Sequence, residues 1–160
     1  MSQSSSQILI RHIEAHETHA LRQEILRPAQ RLEEMVFDFD EAPETVHFGA
    51  FVGETGPMGV ASIYQRPAEA KWGAAHPLIC SLGAWQLRGM ATQTGIRGSG
   101  AGGELLQRCL AHATSRGGRV FWCNARTTVT GFYERYGLLR FGEPYDVPHA
   151  GPHAFMFTPL

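Results

Sequence analysis

The feature that most limits how this chain can fold is its uneven use of glycine. None of its 18 glycines precedes Gly49, yet five fall in the nine residues from Gly95 to Gly103. Glycine takes left-handed backbone without a steric penalty and lets the main chain approach another group closely, but it weakens any helix or strand it interrupts. The cluster therefore reads as a loop, and its flanks read as regular elements. Ala84–Thr92 has the composition of a strand, and residues 104–116 carry one apolar helical stripe (Leu105, Leu106, Cys109, Leu110, Ala113) that stops at Gly117 and Gly118. Strand, glycine loop and helix together are the recipe for an anion site, the other reading being a glycine-rich turn into the helix. Missing Cβ atoms let the backbone close on a phosphate, and the opening N–H groups and dipole of the helix face it. Arg97 adds full positive charge at the entrance.

Around this unit the pattern is that of one α+β domain over residues 8–160, preceded by a polar tail, residues 1–7, expected to be disordered. Ile8–Ile13 is a short strand. Residues 17–27 form a helix with Leu21 and Ile25 on one face, ended by Pro28, and residues 30–36 form a second short helix. The stretch from Glu33 to Glu44 holds six acids and is expected to be an exposed loop. Val46–Val52 and residues 58–64 form a hairpin, and residues 66–77 an irregular connection. After the glycine loop and its helix, residues 120–123 form a strand. Thr127 or Thr128 caps a second helix whose apolar face is Val129, Phe132, Tyr133 and Tyr136, stopped by Gly137. Residues 138–142 and 154–158 are closing strands of a central mixed sheet.

Composition excludes other classes. Fourteen basic residues against 15 acidic ones leave a formal charge of -1, so bulk charge makes no case for nucleic acid. The longest stretch free of Asp, Glu, Lys and Arg, Trp72 to Leu87, contains His76, Pro77, Ser81 and Gln86. It falls short of the roughly 20 apolar residues of a spanning helix. Cys80, Cys109 and Cys123 cannot all pair within one chain and have no zinc-ligand spacing. Reduced thiols in a cytoplasmic protein without a metal are the expectation.

Two phosphate motifs compete for the loop. Gly98-x-Gly100-x-x-Gly103 has dinucleotide spacing and keeps open an NAD(P)-binding oxidoreductase. That fold wants an acid about 20 residues on, at the end of the next strand; here the strand ends in Cys123 and Asn124. A P-loop is excluded because no Gly-Lys-Ser/Thr closes the run. The other spacing is Arg97-x-x-Gly100-x-Gly102. It resembles the Arg/Gln-x-x-Gly-x-Gly/Ala loop of the GNAT acetyltransferase family. The resemblance extends to Leu87–Thr92 before the loop, to Glu104-Leu105-Leu106 after it, to Asn124-Ala125-Arg126, and to Gly131-Phe132-Tyr133-Glu134-Arg135-Tyr136-Gly137-Leu138. It is close from Trp85 to Gly142; the N-terminal elements agree in order only.

The resemblance implies a GNAT-like fold, a central mixed and mostly antiparallel sheet flanked by helices, with acetyl-CoA as co-substrate and direct acetyl transfer to a primary amine. It puts the pyrophosphate on Arg97, Gly98, Ser99, Gly100, Ala101, Gly102 and Gly103, and the pantetheine arm beside Met90, Ala91, Thr92 and Asn124. The N–H of Met90 would polarise the thioester oxygen, and Tyr133 would protonate the leaving thiolate. A phenol suits that task, staying protonated at neutral pH yet able to donate to a thiolate. The general base is the gap. Many members carry a glutamate where this chain reads Gln86-Leu87-Arg88, which leaves water, Asp146, His149 or His153. The gap also keeps open a non-catalytic acyl-CoA-binding module. Arg88 either meets an anionic substrate group or pairs with one of the six acids. The acceptor, a small molecule or a peptide, is not specified. A homodimer through the sheet edge suits such a fold, and no residue specifies it.

Overall fold

A computed structural model describes residues 7–53 and 55–160. Of the N-terminal polar tail, residues 1–6 therefore lie outside the described residues. Seven strands build one sheet in the order β1-β2-β3-β4-β5-β7-β6: β1 (Ile8–Ile13), β2 (Val46–Val52), β3 (Gly59–Gln65), β4 (Ala84–Thr92), β5 (Val120–Arg126), β6 (Leu139–Val147) and β7 (Gly151–Pro159). Every neighbouring pair is antiparallel except β4 and β5. A parallel pair needs a crossover, usually a helix, and α2 (Ala101–Ser115) supplies it after α1 (His19–Leu21) earlier in the chain. The sheet is thus mixed and mostly antiparallel.

The apolar stripe of α2 buries Leu105, Leu106, Cys109 and Ala113 against Phe48, Ala61, Ile63 and Leu87. A smaller core lies under residues 66–83, where Trp72 stacks on Phe155 with centroids 4.4 Å apart and Trp122 donates from Nε1 to the Arg66 carbonyl at 2.9 Å. Among the described residues no helix is long and apolar enough to cross a membrane.

Several elements depart from the sequence expectations. The helix after the glycine loop begins at Ala101, so Gly102 and Gly103 form its first turn. The N-terminal helix is a composite of a 3-10 turn (Ala15–Thr18), α1 and a π-turn (Arg22–Leu26), closed where the Arg27 N–H meets the Arg22 and Gln23 carbonyls. The helix after β5 is short, a 3-10 turn (Thr127–Val129) followed by α3 (Thr130–Glu134). Tyr133 is buried, but Val129 is exposed, because that face borders a cleft. The closing strands run on into the expected loop, leaving only residues 148–150 as the turn. Pro144 is tolerated because β6 is an edge strand and shifts register between Phe141 and Tyr145. Finally, the acidic segment is not wholly solvated: Asp40 is buried.

Candidate active site

β4 and β5 stay paired only from Ala84 and Val120 to Gln86 and Trp122. Beyond that point β5 keeps its ladder with β7 as far as Arg126 and His153. β4 instead follows β3 with a slip: Ser62 faces Arg88 and Val60 faces Ala91, so Gly89 and Met90 together oppose Ala61. Such a bulge bends its strand and loosens the local ladder. The two strands therefore diverge and open a cleft of about 1010 Å³ between Leu87–Thr92 on one side and Cys123–Arg126 on the other.

The glycine loop closes one end of this cleft. Gly98 and Gly100 have φ of +84° and +92°, and a Cβ on either would project into open space. Gly100 is the N-cap of α2 and has no side chain to cap it; the first helical bond runs from the Glu104 N–H to the Gly100 carbonyl at 3.0 Å. Apart from the Ala101 N–H, which donates to Ser99 Oγ at 3.4 Å, the N–H groups of the first turn are thus available to an anion, in the favourable field of the helix dipole. Arg97 and Arg135 border the same end. Gly103 is fixed by packing as well, since a Cβ there would lie 1.8 Å from the Tyr136 hydroxyl oxygen. Two loop residues face elsewhere. The Ser99 hydroxyl donates to the Ile96 carbonyl, and Ala101 packs into the core. The open backbone donors, the unfilled space before the glycines and the two arginines fit a diphosphate.

Across the opening, the Tyr133 hydroxyl of α3 points at the Met90 sulfur of β4, 3.8 Å away. Burial pushes the Tyr133 phenol well above its usual range, with the neighbouring Cys123 and Cys109 adding to the shift. It is therefore a group that holds its proton. Burial likewise pushes the Cys123 thiol up, which suits packing and not nucleophilic attack. Ala91 and Thr92 line the cleft wall. Asn124 is exposed at the splay, its Oδ1 accepting from the Tyr145 hydroxyl.

The far end of the cleft is built by residues that, Ile25 apart, the local sequence pattern did not single out. Ile25, Leu26, Arg27 and Phe37, from the N-terminal segment, roof it, and Arg126 reaches across to donate to the Leu26 carbonyl. A side cavity of about 240 Å³ adjoins it and shares Gln86, Arg88 and Asn124 as lining. His153 borders the main cleft, its Nδ1 2.8 Å from the Gly151 carbonyl. A carbonyl only accepts, so Nδ1 carries the proton and Nε2 of the neutral ring is free to accept one. Asp146 and His149 line neither cavity. His47 lies between the Ser62 hydroxyl at 2.6 Å and the Asp40 carbonyl at 2.9 Å, a structural position. The only local signal for Phe37 was an aromatic residue within an acid-rich stretch.

The divergent parallel pair with a glycine loop opening the following helix fits an acyltransferase. The model of the Acetyltransferase (GNAT) family matches residues 11–138, and the chain belongs to that family. The uncharacterized N-acetyltransferase YitI of Bacillus subtilis is 33% identical over 151 residues, covering 94% of this chain and 95% of that protein. Among solved structures, a GCN5-related N-acetyltransferase from Kribbella flavida superposes with a TM-score of 0.69 at 17% identity, over 96% of this chain and 98% of that one. A chain of the NatC complex bound to Gag peptide and CoA superposes with a TM-score of 0.70 at 13% identity, over 96% and 99%. At those identities the structural likeness speaks for the fold.

Proposed function

We propose that this acyltransferase takes its acetyl group from acetyl-CoA and passes it directly to a primary amine, within one domain spanning residues 8–160. The observation that carries this is the divergence of β4 and β5 after Gln86 and Trp122, which leaves a slot between two strands with the glycine loop at its end. Bound acetyl-CoA would supply an activated thioester. The first-turn N–H groups of α2, together with Arg97, Gly98 and Gly100, hold the pyrophosphate. Gly102 and Gly103 offer their N–H groups, while Ser99 and Ala101 shape the loop from behind. Met90, in the bulge, and Ala91 and Thr92 beyond it pair with the pantetheine arm, with Asn124 opposite.

Met90 lies in the bulge, where the β3–β4 ladder is interrupted, and its N–H is the group that stabilises the developing oxyanion. Tyr133, kept protonated by burial, donates a proton to the departing sulfur. His153, whose Nδ1 is taken by the Gly151 carbonyl, accepts a proton from the amine at Nε2, in place of the glutamate that β4 lacks. The test is thiol release from acetyl-CoA across small amines, polyamines and peptides, with parallel calorimetry of CoA and NADH. Turnover with any amine supports the proposal. CoA binding without turnover would make the protein a binding module, and NADH binding alone would sink the proposal.

A further inference from the structure

Among the described residues Arg88 has no counterion, although it lines the cleft. It stands on β4 two residues beyond Gln86 and one before the bulge, half-buried, with its guanidinium carbon 4.0 Å from the Phe37 ring centroid. Arg22 lies 4.0 Å from the same ring and Arg27 5.5 Å. The neighbouring guanidiniums are engaged: Arg22 with Asp40, Ser62, Tyr64 and the Met35 carbonyl, Arg27 with Gln30, Arg126 with the Leu26 carbonyl. None of the ion pairs among the described residues includes Arg27, Arg66, Arg88 or Arg126. Of the six acids in the 33–44 segment, then, none has taken Arg88. Asp40 is bound to Arg22, and Asp38 stands exposed at the rim of the side cavity. Burial works against the charge on Arg88, and Arg27, Arg66 and Arg22 oppose it further, partly countered by Tyr64. A guanidinium held in such a place gains from an anion that enters from outside.

Its position says which molecule brings the anion. Arg88, Gln86 and Asn124 are the residues common to the main cleft and the side cavity, so they stand where the two meet. The glycine loop, with Arg97 and Arg135, is at the other end, so the phosphates of CoA have their own cations. Gln86 is buried and its side-chain oxygen has no hydrogen-bond partner among the described residues. Residues 86 and 88 lie on one face of the strand, about 6.6 Å apart along it. One side therefore offers an acceptor for N–H and the next a fork for a carboxylate. The side cavity is small, and Arg66 faces it together with Asp38 and Glu69, of which Glu69 stands 3.7 Å from Lys71. Two carboxylates at the rim disfavour a doubly charged phosphate and tolerate a single negative charge.

We propose that Arg88, with Arg66 behind it, binds a carboxylate of the acceptor, and that the substrate is a small amine carrying that carboxylate close to its amino group, as an amino acid does. The N–H of the reacting nitrogen then meets the side-chain oxygen of Gln86. Cationic surroundings also favour the neutral form of the amine, the form that attacks. This inference rests on the acetyl-transfer reading of the cleft.

The experiment compares matched pairs that differ only in the carboxylate: an α-amino acid against its primary amide, and an ω-amino acid against the aminoalkane of the same length. Thiol release with acetyl-CoA is measured for both members. We expect kcat/KM at least about tenfold higher for the carboxylate, the loss of a charge-assisted hydrogen bond being worth roughly that or more. Arg88→Met keeps the aliphatic stem on Phe37 and collapses the ratio towards one, while Arg88→Lys recovers part of it. Calorimetry of the same pairs on CoA-saturated protein gives a second readout that needs no turnover, and thermal melting checks that each variant is folded. Equal use and equal binding of the two members by the wild type would overturn the inference, as would a folded Arg88→Met that keeps the preference. Failure of CoA itself to bind would overturn the acetyl-transfer reading instead.

Discussion

Arg22 and Asp40 meet in a two-point pair, Nη1 to Oδ2 at 2.7 Å and Nη2 to Oδ1 at 3.1 Å, with both side chains essentially inaccessible to solvent. The pair is the centre of a buried polar network, in which the Arg22 Nε alone of that guanidinium's nitrogens lacks a partner among the described residues. Arg22 also donates to the Met35 carbonyl at 2.8 Å and reaches Ser62 and Tyr64 on β3, while Asp40 accepts from the Phe37 N–H at 2.9 Å and from the Tyr64 hydroxyl at 2.5 Å. It thereby ties residues 35–40 to the sheet and holds Phe37 beneath Arg88.

Asp40→Asn removes the countercharge and leaves a buried guanidinium with only neutral acceptors. Breaking one half of a buried ion pair costs about 3–5 kcal/mol, because the remaining charge stays desolvated. Chemical denaturation should show that loss in the midpoint with little change in slope. A loss below about 1 kcal/mol would mean that water reaches the pair.

Acid stability should depend on the same residue. Burial pushes the Asp40 carboxyl upward, but hydrogen bonds from Arg22, Tyr64 and the Phe37 N–H outweigh it, and its net position is below the usual carboxylate range. A carboxyl depressed in the folded state stabilises the fold fully above its unfolded value and loses that contribution as pH falls through the folded value. Wild-type unfolding free energy should therefore decline below about pH 4, and Asp40→Asn, besides being less stable, should show a shallower decline. Parallel acid limbs would assign the slope to other acids.

Gly100→Val tests the loop. At φ +92° a β-branched residue is strained, and its Cβ projects into the open space where the pyrophosphate is proposed to sit. Left-handed backbone costs an L-residue about 1–2 kcal/mol, so a small drop in melting temperature is expected. CoA affinity measured by calorimetry should fall at least about tenfold, which corresponds to 1.4 kcal/mol of binding energy. Unchanged affinity would reduce the loop to a turn.

How much of this was legible in the sequence depends on the range of the interactions. β1, β2 and β4 appear where their local patterns put them, and the glycine loop leads into the amphipathic stripe of α2 as expected. The Arg22–Asp40 pair was not legible, because it joins residues 18 apart across an irregular segment that reads as solvated acid. The length of β6 and β7 was hidden by Pro144 and Pro152, which an edge ladder tolerates. The divergence of β4 from β5 leaves almost no local trace. It arises because β5 stays with β7 while β4 bulges, and its one signal was Gly89 inside a strand pattern. Tyr133 illustrates both limits: it lies on the predicted apolar stripe, but only the tertiary fold brings its hydroxyl to face Met90 across the opening.

Tyr133→Phe should separate catalysis from folding. The hydroxyl has one weak contact, 3.8 Å to the Met90 sulfur, so its removal leaves packing intact and CoA affinity near wild type. A general acid contributes about 10²–10⁴-fold, and kcat should fall within that range. Wild-type turnover in the variant would return Tyr133 to the core.

His153→Gln addresses the missing glutamate. Gln can keep the bond to the Gly151 carbonyl with its amide N–H but cannot accept a proton, so geometry is held while basicity is lost. With His153 as the base, kcat/KM for the amine falls by about 10²-fold, CoA binding is unchanged, and the defect narrows as pH rises and the amine arrives already neutral. The loss combines less than additively with that of Tyr133→Phe, since both residues serve the same transfer and removing either already disables it. An equal defect at every pH would instead assign His153 to holding the β7 wall against Arg126, and deprotonation would then pass through water.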